Sequence, residues 1–327
     1  MRALVTSRRS ELRLARAREF LKTLPPSGDV LVIGPSFETV AELTRSLRRA
    51  LFGWRRTTLY RCALELARPA LLEKKLTAVT SLSLEALWAR VAHQLGADEL
   101  LHRLAPLDGM PGLSRALART VGELRMLRIG PESVEPALGE AMRAFETALA
   151  EGDLADRSMV YSLARAAVGG SAKSPLVLLD VRFGPGLEQD FVEAMVRHSP
   201  NVFAAAPVDE VSVVEAIEGA LGVKGVGLRN EGDSALDSLQ GNLFLPLTPT
   251  LIPLEARARL SPLRREREHK LEDFFSAPGE ARECVEIARR MIELARTGVR
   301  FDEMAVLLRS PGTYRAPLED AFRRARI

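Results

Sequence analysis

Apolar positions along this chain alternate between two spacings, and each change of spacing marks a predicted element. Continuous β-branched and apolar runs at 30–34 (Val30-Leu31-Val32-Ile33-Gly34), 175–180 and 201–206 fit strands buried on both faces, as parallel strands are. A further run at 303–310, Glu303-Met304-Ala305-Val306-Leu307-Leu308-Arg309-Ser310, predicts a buried parallel strand that delivers Arg309 and Ser310 to its carboxyl edge. Between these runs the spacing shifts to three and four, predicting helices over 10–24, 38–50, 57–72, 81–95, 186–198, 211–221, 280–295 and 314–326. The first of them stops at Pro25-Pro26-Ser27-Gly28. A shorter strand is predicted at 76–80, and another at Phe274-Phe275-Ser276. Strand and helix in alternation predict an α/β fold with a parallel sheet. The stretch 97–169 interrupts it, with helical spacing throughout (114–127, 131–149 and 154–167).

These patterns predict an α/β domain from 1–96 and 170–230, a helical subdomain inserted at 97–169, a linker region at 231–269 with a short helix at 236–243, and the start of a second α/β domain at 270–327. A chain of 327 residues exceeds the size at which one core usually stops growing, so two domains are expected.

The strand at 30–34, its glycine and the following helix have the layout of a phosphate loop. The loop chemistry is missing. A working loop reads G-x-x-x-x-G-K-[ST], and counting from Gly34 the last three slots hold Thr39, Val40 and Ala41. Loss of the lysine alone forfeits a charge-assisted contact of roughly 1.5–3 kcal/mol, and Glu38 repels a triphosphate. The loop therefore reads as an ordinary strand-to-helix turn, and no cofactor is expected in this chain. Asp180, alone at a strand end and followed by Val181, has the position of a cap or turn residue. His93, His102, His198 and His269 are scattered, with no metal-ligand spacing, and no G-x-S-x-G elbow occurs. Glu73-Lys74-Lys75 resembles half of a nuclease centre but lacks an acidic partner, which assigns it to solvent. No catalytic or metal-binding residue is predicted.

Composition adds little to this. Lys and Arg total 46 against 43 Asp and Glu, a net charge of +3, yet basic residues cluster at Arg45-Ser46-Leu47-Arg48-Arg49, at Trp54-Arg55-Arg56 and at Arg264-Arg265-Glu266-Arg267. Such clusters suit a phosphate backbone or form solvated faces. Cys62 and Cys284 sit among apolar neighbours, as free buried thiols do, and no apolar segment approaches eighteen residues. The chain reads as cytoplasmic, with no membrane partner.

The stretch FFSAPGEARECVEIARRMIELARTGVRFDEMAVLLRSPGTYRAPLEDAFRRARI resembles the opening of the second motor domain in UvrD-like superfamily-one helicases. It is most similar to the B subunit of AddAB-type helicase-nucleases and to related bacterial proteins that end in a PD-(D/E)XK nuclease domain. The resemblance covers the last fifty-odd residues specifically and is more structural before them. It implies a P-loop NTPase, RecA-like parallel sheet with degenerate ATPase motifs. Under it, Asp180 matches the strand that carries a magnesium-binding aspartate, with Val181 replacing the acidic neighbour. TSLSLEALWARVA is similar to a helicase segment that faces single-stranded DNA, which makes Thr80, Ser81 and Ser83 candidate contacts beside Arg309 and Ser310. A plain N-cap, with Ser81 or Ser83 as the capping residue, is the alternative. The implied function is a catalytically silent scaffold and DNA-contacting surface in the repair of DNA ends, with DNA and an active helicase subunit as partners. The implied nuclease centre, with its Mg²⁺, is expected beyond Ile327 in a longer polypeptide. Two other functions fit parts of the pattern: a P-loop ATPase with an unorthodox loop, and a module that binds protein only.

Overall fold

The computed structural model describes residues 1–110, 112–171, 174–228 and 275–327. The chain divides into two compact units, Met1–Glu231 and Gly232–Ile327.

In chain order the first unit opens with β1 (Arg2–Thr6), α1 (Ser10–Thr23), β2 (Ser27–Ile33), α2 (Phe37–Arg45), β3 (Phe52–Thr57) and α3 (Leu59–Glu73). There follow β4 (Thr77–Ala78), α4 (Ser81–Ala97), α5 (Leu113–Met126), α6 (Pro136–Glu151), β5 (Leu154–Ala155) and α7 (Arg157–Ser171). It continues with β6 (Leu176–Leu179), α8 (Leu187–His198), β7 (Val202–Ala206), α9 (Val211–Leu221) and β8 (Val226–Gly227). Six strands form one sheet in the order β3-β2-β6-β7-β1-β8, and every pairing is parallel.

Alternation along the strands sorts side chains onto two covered faces. Leu4, Leu31, Ile33, Leu176, Leu178, Val202 and Ala204 pack beneath α3, α7, α8 and α9. Val5, Val30, Val32, Trp54, Val177, Leu179 and Phe203 pack beneath α1 and α2. Both faces being apolar is why the strands read as unbroken apolar runs.

Two full strands of this sheet, β1 and β3, escape the hydrophobic pattern. β1 has only Leu4 and Val5 buried as large side chains, and between β7 and β8 its backbone rather than its composition holds it. β3 is an edge strand of the sequence FGWRRT, in which Trp54 is buried and Arg55 and Arg56 are exposed. Charged side chains on an edge strand guard against pairing with another chain, so the stretch read as basic surface is a protected sheet edge.

The segment predicted as a strand at 76–80 shortens to β4, which pairs with β5 in a separate two-stranded sheet and not with the main one. The helical block also has different limits from those predicted. Leu87, Trp88, Val91 and Leu95 of α4 join Leu117 and Val121 of α5 and Met142, Phe145 and Leu149 of α6 in one core, so α4 belongs to the helical layer. α7, predicted within that layer, instead buries Val160, Tyr161, Ala164 and Val168 against the sheet. The helix predicted from 131 starts at Pro136, after a single turn of tighter helix at Pro131–Ser133. Pro is at home in a first turn, and this sequence offers two of them.

In the second unit the described residues contain α10 (Glu280–Arg296) and α11 (Pro311–Ala325), joined through Cys284, Ala288, Leu318 and Ala321. The predicted strand at 303–310 does not form. A tight turn at Phe301–Glu303 leads into a segment with no ladder partner among the described residues, in which Val306 and Leu308 pack on the helices while Leu307 is 94% exposed. A parallel strand is stable only between neighbours that take its N–H and C=O groups, and no strand is found among the described residues of this unit. Of the strand predicted at Phe274-Phe275-Ser276, Phe274 lies outside the described residues. Phe275 and Ser276 are not in a strand, and the Phe275 ring sits 4.2 Å from the Arg290 guanidinium. The predicted linker at 231–269, its helix at 236–243 and the basic run Arg264–Arg267 also lie outside the described residues.

Burial, reinforced by Glu65, pushes the Cys62 thiol up to about 12. The native protein is accordingly expected to resist a thiol-directed aromatic disulfide at Cys62 at about pH 8, with reaction only on unfolding. A fast native-state reaction mapped to Cys62 by peptide mass would show that α3 opens locally.

Candidate functional site

In an open parallel sheet the ligand crevice forms at the carboxyl ends, where neighbouring strands send their chains to opposite faces. Three such divergences exist among the described strands, the first where β3 continues into α3 on one face and its neighbour β2 into α2 on the other. β2 continues into α2 on one face and its neighbour β6 into α8 on the other, while β1 and β7 diverge in the same way into α1 and α9.

Arg13, from the first turn of α1, reaches across this edge to the end of β6. Its Nε donates to Asp180 Oδ1 at 2.6 Å and its Nη2 to Asp180 Oδ2 at 2.8 Å, a fork-on-carboxylate pair. Its third nitrogen, Nη1, donates to the Ser7 carbonyl at 2.5 Å. The Arg13 side chain is 6% exposed and that of Asp180 21%. Asp180 holds a left-handed backbone (φ 47°) while its N–H still donates to the Ala205 carbonyl. It is thus no helix cap; it sits in the bend that ends β6, as the turn reading expected. It extends the β6 ladder by one bond and turns its carboxylate onto Arg13.

The loop that joins β1 to α1 is Ser7-Arg8-Arg9, without glycine, and Ser7 Oγ accepts the Arg9 N–H at 3.2 Å. A phosphate cradle needs several backbone N–H groups directed inward and glycine where the backbone approaches the anion. Here the Ser7 carbonyl accepts from Arg13, and the anion that the guanidinium holds is the Asp180 carboxylate.

The four residues expected to trace a lost loop after β2 have other duties. A side chain at Gly34 would meet Val40 Cγ2 at 2.5 Å, so the glycine serves close packing of strand on helix. Val40 and Ala41 are buried in the core beneath α2. Thr39 donates its N–H to Ser36 Oγ at 3.2 Å, which makes Ser36 the N-cap of α2. Glu38 is held below the usual carboxylate range by a backbone hydrogen bond in the first turn and by Ser36. Its negative charge occupies the end of the helix that would otherwise attract a phosphate.

Around this edge further charges pair off, Arg8 with Asp209 at 3.2 Å and Arg182 with Glu210 at 2.9 Å. Much of the predicted basic surface is likewise committed. Arg49 Nη2 donates to the Leu21 and Leu24 carbonyls at the end of α1 while its guanidinium lies 5.6 Å from the Trp54 ring centre, and Arg55 pairs with Asp29. Two exposed groups stand out from this pattern. Phe37, the first residue of α2, is 46% exposed, and Arg56, near the carboxyl end of β3, is exposed with no partner among the described residues. Arg56 lies two residues beyond Trp54, hence on the face of the sheet that carries α2. Phe37 was hidden from sequence reasoning because a single phenylalanine at a helix start reads as core. The signal that reveals it is position, one residue after the Ser36 cap.

Thr80, Ser81 and Ser83 are exposed at the start of α4, beside β4 and not on a strand of the main sheet. The cap is Thr80 itself, whose Oγ1 accepts the Ser83 N–H at 3.2 Å, so neither Ser81 nor Ser83 is the capping residue. Arg309 and Ser310 are exposed in the second unit, on the segment ahead of α11. With no strand formed there, they are not delivered to a sheet edge.

Among the described residues no group of three or more His, Cys, Asp or Glu side chains is placed to hold a metal ion, and no helix is long and apolar enough to cross a membrane. No model of a known protein family matches the chain, and a search of curated proteins finds none that matches it.

Proposed function

We propose that this chain is a catalytically silent, helicase-like module that serves as a scaffold and single-stranded DNA contact surface in the processing of DNA ends. Its sheet descends from the RecA-like, UvrD-like motor fold that the sequence resembles. The observation that carries this reading is the Arg13–Asp180 pair. It fills the crevice where a motor of this kind would hold nucleotide phosphates, and it anchors the loop after β1 by that loop's own carbonyl. A triphosphate would have to break a bidentate pair, with no glycine-lined cradle in the loop after β1 in return.

The DNA-contacting role rests on Phe37 and Arg56, which offer a base-stacking face and a phosphate partner on the same face of the same edge. They take precedence over Thr80, Ser81, Ser83, Arg309 and Ser310. The nuclease chemistry, its Mg²⁺ and the active helicase subunit belong to other parts of the assembly that the resemblance implies.

The test is fluorescence anisotropy with a labelled single strand over a series of salt concentrations, alongside calorimetric titration with Mg-ATP. Expected are a steep fall of DNA affinity with salt and no heat from ATP. Phe37→Ala is expected to weaken DNA binding by about 5- to 160-fold, since stacking one base on an aromatic ring is worth ~1–3 kcal/mol. Arg56→Ala should also flatten the salt dependence by about 0.7 in log–log slope, the share of one phosphate contact. DNA binding that ignores salt and both substitutions would favour a module that binds protein only, whereas stoichiometric ATP binding would restore the ATPase.

A further inference from the structure

Where the helical layer meets the helices on the sheet, residues of α5, α6, α7 and α8 and of the turn after α5 line an open cavity of about 500 Å³. Its wall includes Arg125, Arg128, Glu146, Ser158, Ser162 and Arg165. The volume is that of a small-ligand site, and three guanidinium groups and one carboxylate line it.

The three arginines are held to different degrees. Arg125, whose side chain is 12% exposed, is fixed by Asp156, its Nε donating at 2.8 Å, and by Glu146. Asp156 is itself fixed, accepting from Ser158 Oγ at 2.8 Å and from the Met159 N–H at 3.0 Å at the start of α7. Arg128 pairs with Asp190 of α8. Among the described residues Arg165 has only Asp190, at 3.9 Å, which is beyond hydrogen-bond reach. Its donors therefore make no hydrogen bond among the described residues, beside a wall whose three guanidinium groups are matched by the carboxylates of Glu146, Asp156 and Asp190.

The other polar groups limit what can enter. Ser158 spends its proton on Asp156 and Ser162 spends its own on the Ser158 carbonyl, so both present lone pairs, as Glu146 does. The wall thus offers both forked cationic donors and acceptors.

We propose that this cavity binds a phosphate ester that also carries hydrogen-bond donors, a nucleoside monophosphate in chemical class. The phosphate is gripped by Arg165 and Arg128 against the fixed charge of Arg125, and the ligand's hydroxyl or amino groups donate toward Glu146 and the serine oxygens. A guanidinium fork suits a phosphate better than an ammonium does. The ester comes either as a free mononucleotide or as the phosphorylated end of a nucleic-acid strand. The site shares no residue with the Arg13–Asp180 crevice or with Phe37 and Arg56, so it stands apart from the DNA reading of the sheet edge.

Calorimetric titration of the full chain would use deoxyadenosine monophosphate, deoxyadenosine, sulfate, and an oligonucleotide with and without a terminal phosphate. Saturable binding of the monophosphate or of the phosphorylated oligonucleotide is expected, with none of deoxyadenosine. The tighter of the two binders identifies the source. Arg165→Ala is expected to weaken binding about tenfold, the loss of one forked charge-assisted contact, with Arg165→Lys recovering only part of it. Arg165 is more than half exposed, so both variants should keep their melting temperature. Phosphorus NMR line broadening of the monophosphate on the unaltered chain gives a readout independent of any variant. No saturation by either phosphate ester, sulfate binding as tightly as the monophosphate, or equal affinity in Arg165→Ala would each overturn the assignment.

Discussion

Arg13→Ala is expected to destabilise the first unit by about 3 kcal/mol, because breaking a buried ion pair leaves its partner charge uncompensated. Asp180 would lose both donors of the fork, and the Ser7 carbonyl would lose the third. For a unit of this size that is a fall of about 6–12 °C in melting temperature. Arg13→Lys should recover less than half, since an ammonium cannot bond both carboxylate oxygens and the carbonyl in the same geometry. The double change Arg13→Met with Asp180→Asn removes the stranded charge and should be milder than Arg13→Ala alone. Differential scanning calorimetry of the set decides the matter, and equal melting of Arg13→Ala and the unaltered chain would reduce the pair to surface decoration. Removing Arg13 should still not create ATP binding, because the loop after β1 offers neither glycine nor lysine.

Trp88→Ala carries the other large effect, about 3–5 kcal/mol. Trp88 is 1% exposed and stacks on Phe145 with ring centres 4.5 Å apart and planes at 14°. It is the largest fully buried side chain among the described residues, and α4, α5 and α6 converge on it, so its loss opens a void none of the three can close alone. The cost should fall on the helical layer. Amide exchange in α4, α5 and α6 is expected to accelerate, while Trp54, left as the sole tryptophan, continues to report a folded sheet. Equal loss of protection in the sheet and the helical layer would mean that the two form one cooperative unit. The arginine contacts Arg125 to Asp156 and Arg128 to Asp190 would then transmit the damage.

What the sequence determined by itself was the class of fold and most of its parts. The runs at 30–34, 175–180 and 201–206 became β2, β6 and β7, since strands covered on both faces must be apolar throughout and no other local pattern satisfies that. The helices that cover them followed from their period, and the insertion of a helical layer was legible in the unbroken spacing after residue 97. Strand order, edges and the site were decided only by the tertiary structure. β1 and β3 carry too little apolar signal to announce themselves and become strands because a neighbour's backbone accepts them. The run at 303–310, apolar enough to be a strand, stays outside any sheet because apolar composition supplies no ladder partner. The closure of the crevice joins residues 167 positions apart. Nothing local to Arg13, or to an aspartate at a strand end, specifies the other, because an ion pair is a property of the distance that folding sets between two charges.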